Sequence, residues 1–491
     1  MPASLLQDIG AIRPELLLTL YAFVILIVSV LLPRAEARWL GYLSIAGTAA
    51  VFLPLVEMTR LLLSYPGAGL EAWNGMFVVD TFALFFKAIF LISAILTMLM
   101  SIRYLEIEGA QAGEYYALIM FAVSGMMFMA SARDLLLLFV GLETMSLSTY
   151  VLAGFLKRDR RSNEAALKYF LLGSFSAGLL LYGISLVYAV CGSTDLRTIA
   201  GTLPIVAREP LMVLGLILLV VGLGFKIAAV PFHMWVPDAY EGAPTAVAAF
   251  FSTGIKAAAF AAVLRVLIGG MIEASQQWVL LVVILSAASM TLGNLGALLQ
   301  DNMKRMLAYS SVAHAGYVLL GVLAAQRLGE TGAYGLTAVT VYLLAYTFTN
   351  MGAFGLVVSL RREGLVGDQI DDFSGLARRS PLAAFSMLVF MLSLAGIPAT
   401  AGFVGKWYLF GSAIKAGYLW LAVLAVLNSA VSLYFYLRVV VRMYMGQPAT
   451  SEGLRCSAPL SLALAISLVF TFLIGLYPEP FLHLAQQVVL R

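Results

Sequence analysis

Runs of eighteen or more mainly apolar residues recur along the whole chain, and each is long enough to cross about 30 Å of hydrocarbon as a helix. A soluble fold could not hide them, because its interior positions are limited by geometry. Hydrophobic residues fill 62% of the 491 positions and charged ones only 11%. Ordinary soluble domains have roughly 45–50% apolar and about 25% charged residues. Inside lipid every backbone N–H and C=O must find an internal partner, which leaves helices or closed barrels. Barrel strands would be shorter and would alternate, and these runs do neither. The expected fold is an all-α polytopic membrane protein with no strand.

Fourteen spans are expected, near 15–32, 39–58, 76–102, 114–131, 134–156, 164–190, 210–235, 243–268, 277–299, 305–325, 333–360, 381–415, 417–445 and 457–477. The first could pass for a signal peptide, with Ala35-Glu36-Ala37 as its cleavage site. Asp8, Arg13 and Glu15 deny it a net positive n-region, and its apolar stretch is too long, so a retained span is expected. Connections are short, and the longest polar stretch, 361–380, is only a loop. Cys191 and Cys456 lack metal-ligand spacing, and no disulfide framework is expected. The net charge of +4 is too small and dispersed for nucleic acid.

Connections after odd-numbered spans carry sixteen Lys and Arg, and those after even-numbered spans carry seven. The positive-inside rule then places the odd connections in the cytoplasm and both termini outside. Five lysines fall inside expected spans: Lys87, Lys168, Lys226, Lys256 and Lys406. Each costs about 2.5–3.5 kcal/mol at a helix centre even on the lenient insertion scale, so each needs a reason. Lys87 is expected to snorkel or pair locally. Lys168 follows Glu164 by four residues, which suits a helix-end pair. Lys226, Lys256 and Lys406 have apolar or small residues on both sides and are the functional candidates.

Glu143 stands alone near the middle of a span. Burial disfavours the charged form of a lone carboxylate or a lone lysine, whereas proximity favours both charges. A Glu143–Lys226 pair would therefore be a proton site controlled by separation, or else a static ion pair between helices. Pro231 removes a helical hydrogen bond just past Lys226, and Gly396-Ile-Pro398 precedes Lys406, so both spans are expected to break there. Interrupted spans with a charge beside the break are what inverted-repeat transporters place at the midplane. His233 lies seven residues after Lys226, approximately on the same helix face. His314 follows Ser310 and Ser311, adding an imidazole to hydroxyls at helical spacing.

The segment Pro231-Phe-His-Met-Trp-Val-Pro-Asp-Ala-Tyr-Glu-Gly-Ala-Pro-Thr245 resembles the signature of the antiporter-like subunits of respiratory complex I. Tyr240-Glu241-Gly242 is similar to the subunit N branch of that family in bacterial NADH-quinone oxidoreductase. The resemblance extends through Asp301-Asn-Met-Lys-Arg-Met-Leu-Ala-Tyr-Ser-Ser311 and Leu394-Ala-Gly-Ile-Pro398 to a last span without an amphipathic extension. It implies helices 1–3 in residues 1–112, inverted five-helix repeats in 113–270 and 271–446, a fourteenth helix in 447–491, and broken seventh and twelfth helices. It also implies a proton relay of Glu143, Lys226, Lys256 and Lys406, with Lys168, His233 and His314 as auxiliary positions. Protons would load at Lys226, paired with Glu143, and pass through Lys256, water and His314 to Lys406.

The chain itself offers no dinucleotide fingerprint, cysteine cluster or haem motif. NADH, FMN, iron–sulfur clusters and quinone are accordingly implied on partner subunits, with no cofactor on this chain. Other complex I membrane subunits, including adjacent antiporter-like ones, are the implied partners, in a bacterial inner membrane. A cation/proton antiporter subunit of an Mrp-like or membrane-hydrogenase complex, and a non-conducting scaffold, are the alternatives.

Overall fold

The computed structural model describes residues 8–32, 38–64, 69–110, 112–327, 329–361, 367–447, 454 and 456–490. Its first half contains α1 (Arg13–Leu31), α2 (Arg38–Ala50), α3 (Phe52–Ser64), β1 (Leu70–Ala72), β2 (Phe77–Val79), α4 (Thr81–Glu108), α5 (Ala112–Ser131), α6 (Leu135–Ala153), α7 (Arg160–Cys191), α8 (Leu196–Val206), α9 (Pro210–Lys226) and α10 (Trp235–Gly242). Then come α11 (Thr245–Gly270), α12 (Ile272–Leu298), α13 (Met303–Ala325) and α14 (Glu330–Leu360). The chain continues through α15 (Pro381–Ala395), α16 (Ala401–Lys415), α17 (Leu419–Met445), α18 (Ala458–Leu476) and α19 (Glu479–Gln486). Twelve of the described helical segments, α2 and α3 counted as one, are long and apolar enough to cross a membrane. Ala35-Glu36-Ala37 lies outside the described residues.

Burial orders these helices. The most apolar stretches of α11 and α14 are entirely buried, whereas less than a third of those of α1 and α18 is buried. A helix apolar all round belongs either inside a bundle or against lipid, and both kinds occur here. Helix starts carry the expected side-chain acceptors. Asp80 accepts from the Ala83 N–H (2.7 Å), Asp134 from Leu136 and Leu137, Asp159 from Arg161, and Asn302 from Arg305. α5 and α6 approach so closely that a Cβ on Gly125 would lie 2.6 Å from the Gly141 carbonyl, the small-residue contact that membrane helices favour.

Three details depart from the sequence reading. A hairpin stands where none was expected: β1 pairs antiparallel with β2, Leu70 opposite Val79 and Ala72 opposite Phe77. Phe77-Val-Val79 extends the apolar run of the third expected span, but its aromatic and β-branched residues suit a strand, and the Asp80 cap starts the helix only at Thr81. Second, the last span is followed by α19, an amphipathic two-turn helix that buries Leu482 and Ala485. Third, Arg265, counted among the seven basic residues of the even-numbered connections, is buried inside α11 with its guanidinium bidentate on Asp80, at 2.7 Å for each contact.

Both expected interruptions are present. Between α9 and α10 the backbone turns at Ala228, whose φ of 64° is left-handed. The groups freed there are satisfied from outside the helix: Trp235 Nε1 donates to the Phe225 carbonyl (3.2 Å), and Val230 N–H donates to Ser289 Oγ (2.9 Å). Between α15 and α16 the chain turns at Gly396 (φ 90°) and Ala399 (φ 69°). Gly402 N–H donates to Ser393 Oγ (3.0 Å), and the Ala395 carbonyl accepts from Ser429 (3.1 Å) and from Lys406. Gly396 is needed for space as well as for φ, since a Cβ there would lie 2.7 Å from Lys406 Cδ.

Candidate functional site: a buried lysine row

Lys226, at the end of α9, is 3% exposed and donates to Ser146 Oγ (2.7 Å) and Tyr150 OH (3.3 Å) of α6. Its ammonium also lies 5.3 Å from the Tyr150 ring centre and 5.8 Å from that of Tyr169. The expected contact with Glu143 is absent: Glu143 is half-buried and makes no ion pair within 4 Å among the described residues, and its Oε1 has no hydrogen-bond partner. Glu143, Ser146 and Tyr150 follow one another at i, i+3 and i+7 on one face of α6. Lys226 thus rests one helical turn along that face from the carboxylate.

Lys256 follows a π-helical stretch, Phe251–Ile255, inside α11. Such local widening recurs at functional sites, and nothing in residue spacing signals it. Lys256 is buried and donates to both the carbonyl and the hydroxyl of Ser311. Next to it on α13, Ser310 bonds the Tyr436 hydroxyl, which lies 3.0 Å from His314 Nε2, and His314 Nδ1 bonds the Tyr342 hydroxyl. A cavity of about 10 Å³, roughly one water, separates His314 from Lys406 and is also lined by Tyr346, Thr349 and Ser393. Lys406 is buried and donates to the Ala395 carbonyl (2.8 Å) and to Ser429 Oγ (2.7 Å). From Lys256 to Lys406 the polar groups therefore follow one another, each hydroxyl able both to accept and to donate.

The stretch between Lys226 and Lys256 is different. Tyr169 stacks on Trp235 with ring centres 4.3 Å apart, and Phe251 lies 5.5 Å from Tyr169 and 6.2 Å from Tyr240. This aromatic layer is crossed by few polar atoms, the Tyr240 hydroxyl reaching Ser311 Oγ at 3.5 Å.

Two expected auxiliary positions sit elsewhere. The Lys168 side chain is 43% exposed in an ion-pair network, with Glu164 and Asp238 each at 2.7 Å. Arg305 joins the same network through Asp238 (2.7 Å) and Glu241 (2.8 Å). His233 lies in the turn before α10, half-buried, with Nδ1 unpartnered and its ring 6.4 Å from that of Tyr309. No hydrogen bond joins His233 to Lys226 among the described residues, because the interruption rotates it away from the α9 face.

Like the Arg265–Asp80 pair, the partner of Lys87 was missed by sequence reasoning. Lys87 neither snorkels nor pairs locally: it is wholly buried, 2.7 Å from Glu15 of α1, which is 1% exposed. Seventy-two positions separate the two in sequence, so no helical spacing links them.

The family described as "NADH:quinone oxidoreductase/Mrp antiporter, TM" matches residues 132–432, the part of the chain that contains every member of this row. The NADH-quinone oxidoreductase subunit N 1 of Koribacter versatilis (strain Ellin345) is 47% identical over 483 residues, covering 96% of this chain and 94% of the relative. A chain of respiratory complex I from Thermus thermophilus with bound aureothin superposes with a TM-score of 0.79 at 35% identity, covering 96% of this chain and 99% of that one. A chain of the Mrp complex from Dietzia sp. DQ12-45-1b shares the fold, with a TM-score of 0.82 at 23% identity and 96% of each chain covered. The chain is a member of the NADH:quinone oxidoreductase/Mrp antiporter family of membrane subunits.

Proposed function

We propose that this chain is the proton-translocating membrane subunit of an NADH-quinone oxidoreductase, coupling electron transfer in partner subunits to proton movement through Lys226, Lys256, His314 and Lys406. The observation that carries the reading is the polar succession in which Lys256 donates to Ser311, the adjoining Ser310 bonds Tyr436, Tyr436 bonds His314, and a shared cavity joins His314 to Lys406. Counting each interrupted segment, 210–242 and 381–415, as one crossing brings the twelve long spans to fourteen. The two interruptions support the inverted repeats 113–270 and 271–446, flanked by 1–112 and 447–491.

In this mechanism Lys226 has two positions. Turned toward Glu143 it gains a counter-charge that favours the protonated form. Held at Ser146 and Tyr150 it has only neutral acceptors and gives its proton up more readily. Transfer to Lys256 requires water to cross the aromatic layer, which sets a gate between the halves. Beyond it the proton moves through hydroxyls and the His314 imidazole to Lys406. Glu164, Lys168, Asp238, Glu241 and Arg305 brace the cytoplasmic side, and His233 lines the broken segment as an auxiliary polar group. NADH, FMN, iron–sulfur clusters and quinone belong to partner subunits in this reading, and adjacent antiporter-like subunits continue the path. In this reading the chain lies in a bacterial inner membrane, and the basic connections support an orientation with both termini outside.

Proton yield per electron in the assembled complex tests the proposal. Lys226→Ala should lower the yield while NADH oxidation continues, and an unchanged yield would refute the role of Lys226. The Mrp-like fold favours a second reading, cation/proton exchange. Exchange by the assembled complex without NADH would select it.

A further inference from the structure

Far from the lysine row, a groove of about 510 Å³ runs between α3, α4, α14, α18 and α19. Its walls are almost wholly apolar, with Phe85, Ile92, Phe348 and Phe470 among them. This volume falls in the range, roughly 300–1,000 Å³, that holds one small ligand. Along α4 it extends from Thr81 to Leu96, roughly 22 Å at about 1.5 Å per residue, which passes the midplane of a hydrocarbon core of about 30 Å. The two ends differ. At the Thr81 end the groove is roofed by α19, where Thr81 Oγ1 donates to the Gln487 carbonyl (2.8 Å) and accepts from Val489 N–H (2.9 Å). At that same end stands Arg60, exposed, with no carboxylate within 4 Å of its guanidinium among the described residues. Neighbouring Glu57 pairs instead with Arg13 at 3.2 Å. A long apolar slot with a single unpaired cation at its surface end matches a ligand with an apolar chain and an anionic head.

We propose that this groove binds one phospholipid, an acyl chain lying along α4 between Phe85 and Phe470 and the phosphodiester seated on Arg60. Basic side chains at the membrane surface attract lipid phosphates, and a quinone tail carries no anionic group to answer the cation. The site is independent of the proton relay: neither Arg60 nor any groove residue belongs to the row.

The test places p-benzoyl-phenylalanine at Phe85 in the assembled complex within its native membrane and identifies the photoproduct by mass. A diacyl phospholipid adduct is expected. Arg60→Gln should reduce its yield roughly fivefold, Arg60→Lys should preserve it, and Ala88→Phe, which fills the groove, should abolish it. An adduct to a peptide or a quinone, or a phospholipid yield unaffected by Arg60→Gln, would overturn the proposal. Because NADH oxidation and proton yield are read in the same preparations, loss of the lipid with intact pumping leaves the proton reading untouched.

Discussion

At the scale of single residues, buried charge is answered in two ways. Lys226, Lys256 and Lys406 meet neutral hydroxyls and carbonyls. Lys87 and Arg265 meet carboxylates directly, at 2.7 Å from Glu15 and Asp80 respectively. Removing one partner of a buried pair strands the other, at about 3–5 kcal/mol, whereas replacing both by apolar residues is close to neutral. Glu15→Gln and Lys87→Met should therefore each lower the denaturation midpoint in detergent, and the double Glu15→Leu/Lys87→Met variant should recover most of the loss. Additive losses in the double variant would show that no such pair exists. Gly396 is a second residue-scale case. An added Cβ would meet Lys406 Cδ at 2.7 Å, and φ is 90°. Gly396→Ala should cost about 1–3 kcal/mol of strain and displace Lys406, lowering proton yield per electron. Wild-type stability and yield in that variant would contradict the packing described.

Elements differ in how readable they are. The two interruptions were legible because Pro231, Pro398 and Gly396 act on the local backbone wherever they occur. The burial of Lys226, Lys256 and Lys406 was legible because nothing polar flanks them. The hairpin was not, since Phe77-Val-Val79 continues an apolar run into α4 and only pairing with Leu70–Ala72 makes it a strand. Ion pairs that decide local structure were hidden for the same reason: Glu15 and Lys87, or Arg265 and Asp80, meet only after helices pack. The resting place of Lys226 at Ser146 depends on its side-chain rotamer, which spacing along α6 cannot set. The hairpin carries its own pH dependence. A hydrogen bond from Arg133 lowers the Glu71 carboxyl from 4.5 to about 2, with its charge and that of Arg197 adding to the effect. A lowered folded-state value stabilises the hairpin fully above about 4.5, and that contribution fades as pH falls toward about 2. Fluorescence of the purified complex with Trp73 as its reporter should stay constant down to about pH 4.5 and change below it. Glu71→Gln should remove this dependence, and an identical acid transition in the variant would assign it to another group.

For the whole molecule, two interrupted segments, 210–242 and 381–415, are built into a bundle of long helices. α11 and α14 form the buried centre, the interruptions flank it, and the polar succession crosses it from Lys256 to Lys406. The aromatic layer of Tyr169, Trp235 and Phe251 lies between Lys226 and that succession. Energy must then come from partner subunits, since the chain's own residues carry only protons in this account. The most direct measurement is proton yield per electron in the assembled complex carrying Lys406→Ala, with NADH oxidation recorded in the same vesicles. The expected result is continued electron transfer with a reduced yield. A full yield with Lys406 absent would contradict the relay.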